Sequence, residues 1–446
     1  MNKHLPTFSA IIMTFLFTAC SSLFLQFNRE FVKVNGTHFE IGGKPYYYTG
    51  INLWYGCYIG SPGKTGDRER LKRELDLLNS YGINNLRILG ASEESYITNS
   101  LRPAIQIKPG VYDENLLKGL DFLLAEMNKR NMHAVIFLNN YWEWTGGMSQ
   151  YNDWANGGGG VDPVNNNFSN FMDYSATFYG NQKAQNEYLN HVKKIVTRKN
   201  SITGILYSDD PTIMSWQLAN EPRPGRNRFW LEEYFTWITS TAEYIHLIDS
   251  RHLVSTGNEG LAGSLEDSLI YLNAHRSKDI DYLTFHLWPK NWGWFDAKNI
   301  VKTYQKTENN AIEYINKHIV FADSLNKPIV MEEFGLPRDS EYCKPVSLTS
   351  ARDRYYKKIY ALIYDSSAAG TPIAGTNVWI WGGEGRGQHP DDRWLPGDPF
   401  VGDPPQEPQG FNSIYDSDST TIAILKDHAG KMELLNRMHF PVSEGR

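Results

Sequence analysis

Eight short apolar runs alternating with amphipathic helical segments predict an α/β protein, a (β/α)8 TIM barrel forming a single catalytic domain. Three observations lead there. The strand-like runs are mostly apolar, as expected of parallel strands covered on both faces. Helical-period segments separate them along most of the 446 residues. No G-x-G-x-x-G opens a helix after the first strand, which removes the main support for an open doubly wound sheet.

The order of elements begins with a hairpin over residues 31–48. FVKV is followed by a turn at Asn35-Gly36, then HFEI, a second turn at Gly42-Gly43, and KPYYY. Strands are expected at residues 47–52, 85–89, 133–138, 212–218, 253–256, 281–285, 328–331 and 373–380. Helices are expected at 67–81, 114–130, 182–198, 230–248, 309–325, 350–366 and 420–435. In the first of these Leu71, Leu75 and Leu78 share one face. No composition break follows residue 30, so residues 31–446 read as one domain. Long loops rich in Gly, Asn, Trp and Asp follow the third and eighth strands, at 139–166 and 382–410. In a barrel both rise on the C-terminal face, where sites are built.

Residues 1–19 read as a signal peptide of the lipoprotein type. Lys3 and His4 precede an apolar run too short to span a bilayer, and the run ends in Leu16-Phe17-Thr18-Ala19-Cys20 followed by Ser21-Ser22. This resembles a bacterial lipobox, with Cys20 lipidated and residues 20–30 as linker. The expected product is exported and lipid-anchored to the outer membrane or cell surface. A plain secretory signal, giving a secreted or periplasmic protein, is the alternative. Cys57 and Cys343 remain, and free thiols are expected, although two cysteines cannot decide pairing.

Composition narrows the function. A net charge of −6 offers no basic stripe for nucleic acid. At 41% hydrophobic and 21% charged, the chain is neither disordered nor a coiled coil. Its 13 Trp, 26 Tyr and 21 Phe suit a site that stacks sugar faces, beside their ordinary core use. No CxxC, HExxH or tight His cluster is present, so no dedicated metal site is expected. Gly60-Ser61-Pro62-Gly63-Lys64-Thr65 looks like a phosphate loop, but Tyr58 stands where its first glycine is needed, and a surface turn is the better reading.

Two carboxylates carry the chemistry. Asn220 and Glu221 fall just past the fourth strand, and Glu333 falls at the end of the seventh, three βα units later. Both therefore project onto one barrel face, and two carboxyls across a barrel mouth can flank a bond between them. Glycoside cleavage needs such a pair, one donating a proton and the other acting as nucleophile or base.

At these residues the sequence resembles glycoside hydrolase family 5, in its β-mannanase and β-mannosidase branch. The resemblance runs from Phe31 to about Leu435 and rests on FVKVNGTHFEIGGKPYYYTGINLWYG, NNLRIL, DDPTIMSWQLANEPRPG, DYLTFHLWP, KPIVMEEFG, NVWIWGG and GDPPQEPQG. It implies a retaining hydrolase without a cofactor. By motif Glu221 resembles the acid/base and Glu333 the nucleophile, with Glu332 a structural neighbour. Arg87 would hold Glu333 ionised, Asn220 would bond the sugar 2-hydroxyl, and His286 would orient the acid or bind substrate. Trp379 matches the platform under the sugar. Trp54, Asn139, Trp142, Trp144 and Glu259 lie at other strand ends as further binding candidates. The family's His-x-Tyr is altered: Trp288 replaces the tyrosine, leaving one N–H donor and no acceptor.

The resemblance implies a β-mannan polysaccharide or oligosaccharide as substrate, and a monomer is expected. Endo-β-1,4-mannanase action is ranked just above exo-acting β-mannosidase, with β-glucanase third. A glycan-binding surface lipoprotein without catalysis is the alternative from another class, opposed by the intact Asn220, Glu221 and Glu333. Loop 382–410, which carries Arg386, His389, Arg393 and Trp394, is expected to set the endo/exo balance.

Overall fold

The structure, a computed structural model, describes residues 30–438. The signal peptide, Cys20 and nearly all of the expected linker lie outside the described residues. Eight parallel strands form a nearly closed barrel: β1 (Tyr48–Asn52), β2 (Asn85–Leu89), β3 (His133–Phe137), β4 (Ile213–Gln217), β5 (Leu253–Ser255), β6 (Leu283–Leu287), β7 (Ile329–Phe334) and β8 (Ile373–Val378). Their order around the sheet is β5-β4-β3-β2-β1-β8-β7-β6. A single parallel bridge, Ser255 to Tyr282, joins β5 to the edge of β6 and closes the ring. Every residue of these strands is buried, which explains why they are mostly apolar. The turn of β8 against β1 is tight enough to demand glycine, since a Cβ on Gly375 would meet the Tyr48 ring at 2.5 Å.

Eight helices cover the barrel: α1 (Arg68–Ser80), α2 (Glu114–Lys129), α3 (Gln182–Val196), α4 (Leu231–Ile248), α5 (Ser268–His275), α6 (Ile300–Leu325), α7 (Ser350–Ala368) and α8 (Ser419–Arg437). The chain marks several starts with caps: Asp67 accepts from Arg70 N and Asp113 from Asn115 N. The expected hairpin forms as three antiparallel strands, Val32–Asn35, His38–Ile41 and Lys44–Pro45.

Four differences from the sequence reading bear on the site. Helix α5 was not expected, because its eight residues are too few to display a period. Helix α6 begins at Ile300 rather than near residue 309. Strand β7 runs to Phe334, so Glu333 lies inside it, and its register against β6 shifts there: Met331 faces Phe285 and Glu333 faces His286. Glu332 is the extra residue of this bulge. Finally, loop 139–166 contains the helical turn Glu143–Thr145 and the helix Gly147–Asn156, with a further helix, Phe168–Ala176, after it. Gly146 and Gly147, both at positive φ, had disguised that start. Cys57 and Cys343 are buried and unpaired with each other. Among the described residues no helix is long and apolar enough to cross a membrane.

Candidate active site

Glu221 and Glu333 meet over the C-terminal end of the barrel. Glu221 follows β4 with φ of +50°, a left-handed backbone uncommon outside glycine, and its N–H donates to Gly257 O at 2.9 Å. One oxygen from each carboxylate and a His286 ring nitrogen lie within 4.8 Å of one another. Carboxyl oxygens this close suit the narrow arrangement of retaining glycosidases, roughly 5–5.5 Å between the two groups, better than the roughly 6.5–9.5 Å of inverting ones.

Each carboxylate has its own partners. Arg87 Nη1 donates to Glu333 Oε1 at 2.5 Å. His286 Nδ1 lies 2.6 Å from Glu221 Oε1 and 3.3 Å from Glu333 Oε2, so one nitrogen stands between the two acids. Trp142 Nε1 donates to Glu221 Oε2. Arg223 lies 4.0 Å from Glu221, pairs closely with Glu259, and stacks over the Trp142 ring at 4.6 Å.

The pair titrates unequally. Burial pushes Glu333 well above the usual carboxylate range; Arg87 opposes this, and the charges of Glu221 and Glu332 add to it. Burial also pushes Glu221 up, but His286, Arg223 and Trp142 outweigh it and hold that group at about 2. His286 is pushed down to about 4 by burial and is neutral at pH 7. The two carboxylates are close enough to titrate as a pair, with the titrations of the two groups pushed apart by their different partners. Glu221, His286 and Glu333 are also the one grouping, among the described residues, close enough to share a metal ion, yet Arg87 already supplies positive charge there.

A cavity of about 410 Å³ opens beside the pair. Of the residues singled out from sequence, Asn220, Glu221, Glu333, Trp142, Trp144, Glu259, Trp288 and Trp379 line it. Asn220 Oδ1 accepts from Arg87 Nη2 at 2.7 Å and its amide donates one N–H to Asn140 Oδ1 at 3.1 Å, keeping the other N–H for a ligand. Trp288 meets Trp379 edge to face at 5.9 Å. Arg87 and His286, fully buried, act on the carboxylates rather than on the cavity.

Two further candidates touch neither the cavity nor the carboxylates. Trp54 donates to Gly402 O at 2.6 Å and packs edgewise on Phe400, bracing the eighth loop from below. Asn139 is fully buried and uses its Oδ1 to accept from Asn140 N at 2.8 Å. Residues at strand ends divide between mouth and core, and spacing alone does not separate them.

In loop 382–410 Arg386 pairs with Asp416, His389 with Asp398 and Arg393 with Asp391, while Trp394 stacks on Phe400. Pro404, Gln406 and Glu407 reach the cavity instead. Glu143, Phe168, Met172, Arg223, Asn291 and Trp292 also line it and were missed from sequence. Arg223 and Glu407 sit inside the quoted motifs ANEPRPG and GDPPQEPQG, which was the available signal. Phe168 gave none.

Two carboxylates at retaining distance, facing a tryptophan-lined cavity on a barrel rim, define the chain as a glycoside hydrolase. It belongs to glycoside hydrolase family 5, matching the family described as GH family 5 beta-mannosidase-like over residues 29–437. The mannan endo-1,4-beta-mannosidase 1 of Arabidopsis thaliana is 32% identical over 363 residues, 78% of this chain and 81% of that protein. The family 5 mannosidase of Rhizomucor miehei is 34% identical with a TM-score of 0.84, covering 92% of this chain and 99% of its own. A variant of that mannosidase, solved with mannosyl-fructose, is 34% identical with a TM-score of 0.84, covering 91% of this chain and 98% of its own.

The Arg87–Glu333 contact makes a pH prediction. Without the cation, burial and like charges act on Glu333 unopposed, and its titration moves further up. Arg87→Met is expected to shift the acid limb of kcat/KM to higher pH by about one unit or more. A pH–rate profile, with circular dichroism to verify folding, measures it, and an unmoved acid limb would disconnect Arg87 from the titration of Glu333.

Proposed function

We propose that the protein hydrolyses β-1,4-mannosidic bonds of mannan with retention, as an endo-β-1,4-mannanase. The Glu221–Glu333 spacing carries the retaining mechanism. The Arabidopsis relative, named as a mannan endo-1,4-beta-mannosidase, supports the substrate and the endo action.

In this mechanism Glu333 attacks the anomeric carbon while Glu221 protonates the departing oxygen. Water then attacks the glycosyl-enzyme with Glu221 as base. The proton must stand on Glu221 when the bond breaks. His286 Nδ1, within reach of both acids, offers the route by which one proton changes carboxylate. Asn220's remaining N–H meets the sugar 2-hydroxyl, and Trp379 lies under the ring.

One observation favours exo-acting β-mannosidase as a second reading: both long loops reach the cavity, Glu143 and Trp144 from one, Pro404 and Glu407 from the other. Burial raises Glu143 to about 7 and Glu407 to about 8, so near neutrality their protonated forms are available to donate hydrogen bonds to sugar hydroxyls. The early products from linear mannan and mannohexaose decide between the readings. Mixed oligomers are expected, mannose alone would establish exo action, and no cleavage would remove the hydrolase reading.

The residue roles have their own test. A 2-deoxy-2-fluoro mannosyl donor is expected to label Glu333, and a label on Glu332 would reassign the nucleophile. Glu221→Ala is expected to retain glycosylation by an activated aryl mannoside and to regain turnover with azide. Equal loss on aryl and natural substrates without azide rescue would remove Glu221 from the acid/base role.

Export with a lipid on Cys20 completes the proposal, supported by the lipobox-like residues 16–20. Cys20→Ala is expected to move the protein from the membrane fraction to the soluble one. Unchanged fractionation would leave the anchor without basis.

A further inference from the structure

The helix Phe168–Ala176 is inserted between β3 and α3. Its first residue, Phe168, is 46% exposed yet lines the cavity, together with Met172 from the next turn. The Phe168 ring lies nearly parallel to that of Trp142, with centroids 5.7 Å apart and planes at 19°. Trp142 in turn directs its Nε1–H at Glu221. Apolar surface therefore starts at the acid/base carboxylate and runs outward through Trp142 to Phe168 and Met172.

That direction has a chemical meaning. A general acid protonates the oxygen of the departing group, so the departing sugar lies on the side of Glu221. The strip is also held in place. Asn167 accepts from Ser169 N at 2.8 Å at the start of the helix. Tyr141 Oη donates to Met172 O at 2.7 Å, and Ser175 Oγ donates to Tyr141 O at 2.8 Å. Asp173 pairs with Arg226, beyond β4, at 3.1 Å. An aromatic face kept rigid at the lip of a cavity is suited to a flat apolar partner, and a sugar ring or an aryl group presents one.

We propose that Phe168, with Met172, is the platform for the leaving group, so that this inserted helix selects substrates carrying a ring on the departing side. The proposal rests on Glu221 being the acid/base of a mannoside hydrolase. The test is the ratio of kcat/KM for mannotriose to that for β-mannosyl fluoride, whose departing atom is too small to touch a platform. Phe168→Ala is expected to lower this ratio about tenfold, chiefly through KM for mannotriose, and Phe168→Trp to restore most of it. An equal fall on both substrates would mean that Phe168 serves only to hold Trp142 and Glu221. An unchanged ratio would mean that it meets no leaving group. Either result overturns the platform while leaving the hydrolase reading in place. If the parent protein cleaves neither substrate, that underlying reading has failed, and the platform falls with it.

Discussion

The guanidinium of Arg87 is the constraint on which the rest of the site depends. It projects from β2, fully buried, and donates to Gln217 Oε1 at 2.8 Å, Asn52 Oδ1 at 3.2 Å, Asn220 Oδ1 at 2.7 Å and Glu333 Oε1 at 2.5 Å. Those acceptors come from β4, β1, the residue pair after β4, and β7. A buried cation stripped of such partners costs several kcal/mol. The strands must therefore hold the register that brings all four acceptors to one group. Barrel closure and active-site geometry are thus two consequences of one requirement.

The same cluster explains how protons are distributed. Arg87 and Arg223 face four buried carboxyl groups, Glu221, Glu259, Glu332 and Glu333. Positive charge is in short supply, and the interior cannot hold all four as anions. Glu332 is raised to about 7 by burial, against the pull of Arg87 and the amide of Gln217, which lies 2.6 Å from both of its oxygens. The bulge in β7 is what allows consecutive residues to share this interior, since regular pleating would send Glu332 and Glu333 to opposite faces. A site with fewer cations than carboxyl groups is well suited to passing a proton between its acids.

The barrel was legible in the sequence because each strand is a buried apolar run and each long helix displays its period. Glu221 and Glu333 were legible because their motifs end strands on the same rim. Glu332 read as a plain structural neighbour, because nothing in a one-dimensional pattern marks a bulge. Trp54 and Asn139 were misplaced for a related reason: a strand-end side chain can turn inward to brace a loop, as Trp54 does beneath Gly402. In the eighth loop the charged residues looked functional, yet their charges are spent on neighbours such as Asp416 and Asp398. The turn around Pro404, Gln406 and Glu407 proved to be the part that faces the cavity.

How that turn is built shows why a long loop can still act as a wall. Asp403 accepts from Gly410 N and Asn412 N, each at 2.8 Å, and so closes the turn on itself. Arg352, fully buried, donates to Phe411 O at 2.9 Å, Ser413 O at 2.9 Å and Leu336 O at 2.7 Å, fixing the closed turn to the end of β7. These bonds keep Glu407 in the cavity wall, where burial holds its carboxyl protonated near neutrality. A neutral acid in such a wall donates a hydrogen bond to a sugar without placing another negative charge beside Glu221 and Glu333. The loop therefore extends to the cavity wall the economy of charge that Arg87 imposes below it: carboxyl groups are admitted close to the reacting bond wherever the protein can keep them from ionising together.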